Sequence, residues 1–380
     1  MNIEMFNVGF GESILLSENN DCLLVDCGSE SKNKDKYFED IEDKLKNFST
    51  KSAMLTHFHE DHINGFMHMV NNSHCVHFNT VFIPNIFCSN HPNIIDLEII
   101  KYLLENIYCP RSVTLSIWEL LKLLCSNHQN ITLLKREKSA FDLMNNKFDV
   151  LWPIPDKLVP IKLYNGLAKS IDNKDLWNAI NEISYNIRNM YFSLESMNGD
   201  VNLENEIDEV DLQLKVVNEQ NSQLLQQSID EIEAKKYIKS IRENANKVSI
   251  VCQSKNTNSV LLTGDIPNNI LKKIARDEFH LNVPLNNHFY AIKAPHHGTD
   301  THYFNFGCYT TCDNIFISNG ETKMKNRGQI SCQYNQYDKN FAIKCTNTEN
   351  LRCDCCSIKH QCTNKKDFCN IGKNDNIIVI

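Results

Sequence analysis

Short apolar runs separated by Gly or Asn turns open the chain. "IEMFNV" (3–8), "SILLS" (13–17) and "DCLLVD" (21–26) predict three strands, with "VGFGES" as a tight glycine turn between the first two. "DKYFEDIEDKLKNF" (35–48) places apolar residues at helical spacing and predicts an amphipathic helix. "SAMLT" (52–56) and "TVFIP" (80–84) predict further strands. Helices are expected over 94–107 and 112–127, broken at Pro110. "ITLL" and "FDVLWPIP" predict strands, the second stopped by Pro153 and Pro155. Strand signals return at 247–252, 259–263, 289–295 and 314–318, with a turn at Gly264-Asp265 and a helix running to about 279. Strands alternating with helices in this way predict an α/β fold.

Between about 165 and 247 the pattern changes. The segment has no proline, and its first half is acidic ("LESMNGDVNLENEIDEVDLQ"). Leu212, Leu214, Val217, Leu224, Leu225, Ile229, Ile232, Tyr237, Ile238 and Ile241 recur at three- and four-residue spacing, which predicts helices arranged as an inserted hairpin. Such a stripe needs burial. The insertion is a solvated decoration of the main domain, or an arm that docks a protein partner or a second copy. The expected organisation is therefore a main domain in two halves, 1–164 and 248–330, around a helical insertion at 165–247, with a Cys-rich segment at 331–380.

Composition narrows the classes. With 380 residues, 42% of them hydrophobic, the chain can bury a large core, which argues against global disorder. A formal net charge of −8 argues against generic coating of polyanions. "MNIEMFNVGFGESILL" has no basic region, long apolar stretch or small-residue cleavage site, and no run has the length of a membrane span. The expectation is a cytoplasmic chain without a membrane partner. Isolated cysteines in apolar settings (Cys22, Cys27, Cys75, Cys252) read as small buried hydrophobes.

The chemistry concentrates in "MLTHFHEDHINGF" (54–66), where His57, His59, Asp61 and His62 follow a buried strand. On extended backbone, residues two apart point the same way, so His57 and His59 share a direction. Asp61 and His62 follow where the chain turns into a helix. Imidazole nitrogen suits zinc and related divalent ions, and carboxylate adds a harder oxygen ligand. Two later stretches, "VLLTGDIP" with Asp265 and "IKAPHHGTD" with His296 and His297, also put polar residues just past apolar strands. Polar residues at strand ends are how layered α/β folds build sites on a sheet edge.

These elements, in this order, resemble the metallo-β-lactamase fold superfamily. "NVGFGESILL", "CLLVDCGS", "LTHFHEDHINGF", "SVLLTGDI" and "APHHGT", spanning roughly 1–320, are most similar to the hydrolase domain of ComEC-type DNA-uptake competence proteins. The resemblance implies a four-layer αββα sandwich with one or two divalent ions, zinc or manganese, on one edge. It implies that His57 and His59 hold a first ion, that Asp61, His62 and His297 hold a second, and that Asp265 bridges them. Asp26 would orient the histidine loop. No histidine lies between His128 and His280, where many superfamily members supply a further first-site ligand. His74, His77, His91, His128 and Asp142 are the candidates for that role. The membrane channel of the competence proteins has no counterpart here.

The expected activity is metal-dependent hydrolysis, with Asp61 accepting a proton and His296 donating to the leaving oxygen. A phosphodiester, above all a nucleic acid, is the expected substrate, and "KMKNRG" (Lys323, Lys325, Arg327) could hold phosphates. Two other readings fit the same motifs. One is hydrolysis of a small phosphoester, lactone, thioester or peptide bond. The other is a partner-docking subunit of a toxin- or defence-type assembly with an attenuated site. Finally, Cys345, Cys353, Cys355, Cys356, Cys362 and Cys369 crowd the C-terminal stretch around His360. Their density suits a structural zinc site, but their spacing is not a paired CxxC motif, so free thiols and disulfides stay open.

Overall fold

A computed structural model describes residues 1–72, 76–87, 92–109, 113–127, 130–136, 140–196, 203–255, 258–280, 283–319, 331, 333–334, 342–346 and 377–379. The chain forms two compact units. Met1–Pro84, Leu133–Pro153 and Asn246–Ile380 make one; Asn85–Thr132 and Ile154–Ala245 make the other.

The first unit carries two sheets, each of seven strands among the described residues. The first sheet draws on β1 (Asn2–Phe6), β2 (Ser13–Glu18), β3 (Asp21–Cys27), β4 (Thr50–Met54), β5 (Thr80–Pro84), β6 (Ile131–Leu134) and β14 (Ile377–Val379). Its order is β14-β1-β2-β3-β4-β5-β6. The second draws on β7 (Ala140–Leu143), β8 (Asn146–Trp152), β9 (Val251–Ser254), β10 (Val260–Leu262), β11 (His288–Lys293), β12 (Thr311–Ile317) and β13 (Ala342–Cys345), in the order β13-β12-β11-β10-β9-β8-β7. In each sheet the strands that matter for chemistry are parallel: β3 with β4, and β10 with β11 and β12.

The sheets face each other across one core. Ile14, Leu16, Leu23, Val25 and Met54 from the first meet Phe148, Val150, Cys252, Leu262 and Phe316 from the second. Their neighbours Leu15 and Leu24, which alternate to the opposite face, are buried as well. Helices account for this: α1 (Lys34–Leu45) packs on α2 (Glu60–Asn72), and α2 packs on β3. Strands covered on both faces read as unbroken apolar runs rather than alternating ones, as "CLLV" does. Sheets inside and helices outside make the layered α/β sandwich expected from the sequence. A further helix, α9 (Asn268–Ala275), buries Ile270, Leu271 and Ile274.

The second unit is built on helices: α3 (Ile94–Tyr108), α4 (Ser116–Ser126), α5 (Ile161–Ser170), α6 (Lys174–Ser196), α7 (Glu204–Ser228) and α8 (Glu231–Ala245). A capping box between Asn93 and Asp96 starts α3, which packs against α6, α7 and α8. Most of the stripe expected to seek burial finds it here: Leu214, Val217, Leu225, Ile229, Ile238 and Ile241 are buried, while Leu212 and Ile232 are exposed. The segment expected as an insertion thus shares its unit with 85–132.

Three strands were not expected. β7 pairs with β8 through Met144-Asn145, both at positive φ, a two-residue hairpin turn built without the usual Asn-Gly signal. β13 and β14, from the C-terminal stretch, each join one sheet. The side chain of Cys345, together with Cys353, Cys355, Cys356, Cys362, Cys369, His360 and "KMKNRG", lies outside the described residues, as does Cys75. No helix among the described residues is long and apolar enough to cross a membrane.

Candidate metal centre

The ends of the parallel strands converge. Asp26 stands next to last in β3, and the loop after β4 carries Thr56, His57 and His59 into α2. His59 opens that helix, its carbonyl accepting from the His62 and Ile63 amides, so Asp61 sits in the first turn, where the helix dipole favours an acid. From the second sheet, Asp265 follows β10, and His296 and His297 follow β11.

Close backbone approach holds the loops in place. The Glu12 amide donates to the Asp61 carbonyl and the Gly28 amide to the Glu12 carbonyl, both at 3.0 Å. A Cβ on Gly28 would lie 2.3 Å from the Asp61 carbonyl carbon and 2.4 Å from the His62 nitrogen, so only glycine fits. Gly264 adopts φ +50°, and the Asp265 amide beyond it donates to Ser249 Oγ at 3.0 Å. His296 and His297 are also left-handed, at φ 47° and 54°, an uncommon conformation for residues with a side chain.

A relay through Asp26 and Thr56, and separately the Ser318 carbonyl, set three imidazoles the same way round. Buried Asp26 accepts from the Thr56 amide at 2.7 Å, from Thr56 Oγ1 at 2.7 Å and from His62 Nδ1 at 2.8 Å. Thr56 Oγ1 has spent its proton on Asp26, so it accepts from His57 Nδ1, 3.2 Å away. His297 Nδ1 donates to the Ser318 carbonyl at 2.8 Å. Each ring therefore presents Nε2 inward. Those nitrogens lie 4.0 Å (His57), 3.3 Å (His62) and 3.6 Å (His297) from one atom, Asp265 Oδ2. Asp61 Oδ2 stands 3.2 Å from His297 Nε2 and 4.0 Å from His62 Nε2. His59 joins through Nδ1, 3.1 Å from His57 Nε2.

This donor set fits a divalent cation. His57, His62 and Asp265 form one group of ligand atoms within 4.8 Å of one another, and Asp61, His62 and His297 form another. His62 Nε2 is buried without a hydrogen bond. Imidazole nitrogens oriented by hydrogen bonds at their other nitrogen, beside carboxylates, are the usual make-up of zinc and related sites.

The charges agree. Burial and the neighbouring His62 and His59 push His57 well below the usual histidine range, so it is neutral. Burial alone would raise Asp61 and Asp265, but the surrounding imidazoles, His62 foremost, hold both far down and ionised. Burial disfavours charge on His62 and His297, yet Asp265 and its fellow acids raise both. Protons on these two rings would compensate the carboxylates, and a divalent ion held here would take their place.

His296 stands apart from the ligand groups. Its side chain is 26% exposed, its ring packs against His302 at a 32° tilt with centroids 3.9 Å apart, and its Nδ1 lies 3.7 Å from Asp265 Oδ2. Asn246 Nδ2 donates to that Nδ1 at 3.0 Å, which leaves the ring proton on Nε2. Burial pushes this imidazole down, to about 3, so it is neutral. Phe10 packs on His297 with centroids 4.5 Å apart.

Among the candidates for a further first-site ligand, His77 is exposed after α2 and Asp142 is exposed on β7; neither belongs to the ligand groups. His74, His91 and His128 lie outside the described residues. Three groups escaped the reading of the sequence: Thr56, Asn246 and Lys293. Lys293 is buried, donates to the Gly264 carbonyl at 2.8 Å and to Asp265 Oδ1 at 3.3 Å, and pairs with Glu12. Burial would lower its pKa, but Glu12 and Asp265 more than offset this and keep it charged. A lysine at the buried end of the strand "HFYAIK" was the signal that could have found it.

Residues 6–81 match the family model of the metallo-beta-lactamase superfamily, a stretch that holds Asp26, His57, His59, Asp61 and His62. No curated protein matches the chain.

Proposed function

We propose that this chain, a two-sheet metallo-β-lactamase sandwich, is a metal-dependent hydrolase acting on a phosphodiester, with nucleic acid as the substrate. The observation that carries the reading is the common orientation of His57, His62 and His297, whose Nδ1 protons are committed and whose Nε2 atoms face Asp265 Oδ2. The superfamily match supports hydrolysis. The order and form of the sequence motifs support a phosphodiester.

His57, His59, Asp61, His62, Asp265 and His297 would hold one or two divalent ions. When bound, such an ion supplies Lewis acidity and lowers the pKa of a water to about 7. The chain's own residues do the rest. Asp26 and Thr56 fix the imidazole orientation. Asp61, ionised and 14% exposed, can accept a proton from the attacking water. His296, neutral with its proton on Nε2, can donate a hydrogen bond to the leaving oxygen.

A net charge of −8 favours a second reading, a small phosphoester as substrate. One experiment separates the two. Purified protein is analysed for metal, then assayed with zinc and with manganese on single- and double-stranded nucleic acids and on a chromogenic small phosphodiester. A variant carrying His59→Ala and Asp61→Ala is the control. Nucleic acid cleavage that disappears in the variant supports the proposal. Cleavage that persists in it sinks the site. Turnover of the small ester alone selects the second reading.

A further inference from the structure

Asp265 offers its two oxygens to different partners. Oδ2 faces the three imidazoles, while Oδ1 is 3.3 Å from Lys293 Nζ. That ammonium is 1% exposed; it donates to Asp265 Oδ1 and the Gly264 carbonyl and forms an ion pair with the carboxylate of Glu12, itself 1% exposed. Lys293 ends β11 in the second sheet, and Glu12 precedes β2 in the first. The glycine turn that carries Glu12 also grips the Asp61 carbonyl. One buried ion pair therefore joins the loop under Asp61 to the carboxylate at the centre of the donor set.

We infer that Lys293, anchored by Glu12, is a positioning residue: it holds Asp265 by Oδ1 so that Oδ2 alone is presented to the metal. The carboxylate has two near-equivalent oxygens and a soft terminal torsion. Without the lysine it can turn, offer both oxygens to one ion, or pair with a protonated imidazole. With the lysine it is held in the geometry that serves all three Nε2 atoms. A buried lysine has a high cost in desolvation, and an ion pair here is weak grounds for stability as such. Its place on the oxygen turned away from the imidazoles points to orientation as its role.

The inference rests on the metal-centre reading, and the test separates the two. Zinc and manganese affinities are measured by competition with a chromophoric chelator for the wild type, Lys293→Met, Glu12→Gln and the double variant. Folding is followed by circular dichroism and thermal denaturation without metal. Each single change strands a buried charge or weakens its pairing and lowers stability; removing both relieves this. A purely structural pair would thus be rescued in the double variant for stability and affinity alike. The expected result is a double variant with recovered stability whose metal affinity stays ~10–100-fold below wild type, the loss typical of removing a partner that orients a ligand. A double variant that binds metal as tightly as wild type overturns the inference. So does failure of all three variants to fold, which would make the pair a folding element. A wild type that binds neither metal overturns the metal-centre reading itself.

Discussion

His62 has acids on both sides, and they act differently. Asp26 accepts the Nδ1 proton at 2.8 Å, while Asp265 Oδ2 waits 3.3 Å from Nε2 without a hydrogen bond. The first contact selects the tautomer; the second leaves room for a cation between donors. Asp26→Asn tests this division. The side chain keeps its shape, but an amide NH2 facing His62 cannot accept, so the ring's proton moves to Nε2 and blocks that ligand. Metal affinity should fall ~10–100-fold. Retained affinity in a folded Asp26→Asn protein, measured by isothermal titration, would show that the relay does not set the ring. His57 feels the same change through Thr56, so Asp26→Asn and Thr56→Val should be non-additive in a double-mutant cycle.

Elements were legible to different degrees, for physical reasons. β1 to β5 could be read because each is a short apolar run closed by turn residues, and HxHxDH could be read because its ligands are local in sequence. The partnership of Asp265 and His297 with that loop is long-range. It became readable only through the resemblance of several motifs taken together. β7 stayed hidden because Met144-Asn145 makes its turn without glycine. β13 and β14 are short and flanked by polar sequence, and pairing with β12 and β1 is what makes them strands. The helices of the second unit were read correctly as helices. The burial of their stripe by α3 was not readable, because α3 comes from a separate stretch of chain. Gly28 shows how one position serves an element junction. Gly28→Ala pushes a methyl into the backbone where α2 begins. The expected loss is about 1–3 kcal/mol in urea unfolding, the usual scale for forcing atoms into a packed site. Asp61 and His62 would shift with the helix start, so metal affinity should drop as well. An Ala variant with wild-type stability would mean that the loop yields more easily than its close packing implies.

For the whole molecule, a ligand that binds only the folded state stabilises it, by about 2.7 kcal/mol when present at one hundred times its Kd. Chelation should therefore lower the melting temperature. In hydrogen exchange, the protection lost should fall on β3, β4, β10, β11 and the start of α2, with the helical unit unchanged. Loss of protection spread evenly over both units would place the metal elsewhere. The interleaving of the first unit also has a temporal side. His62 and Asp265 are separated by about 200 residues, most of them in the excursion that builds the helical unit. A ribosome working at ~5–20 residues per second takes ~10–40 s to cross that interval. Throughout it the nascent chain carries His57, His59, Asp61 and His62 with Asp26 already made, but with no carboxylate from the second sheet to meet them. If the proposed metal centre forms, capture of its ion would belong to the last stage of this chain's maturation, after the sheet that brings Asp265 and His297 has been synthesised.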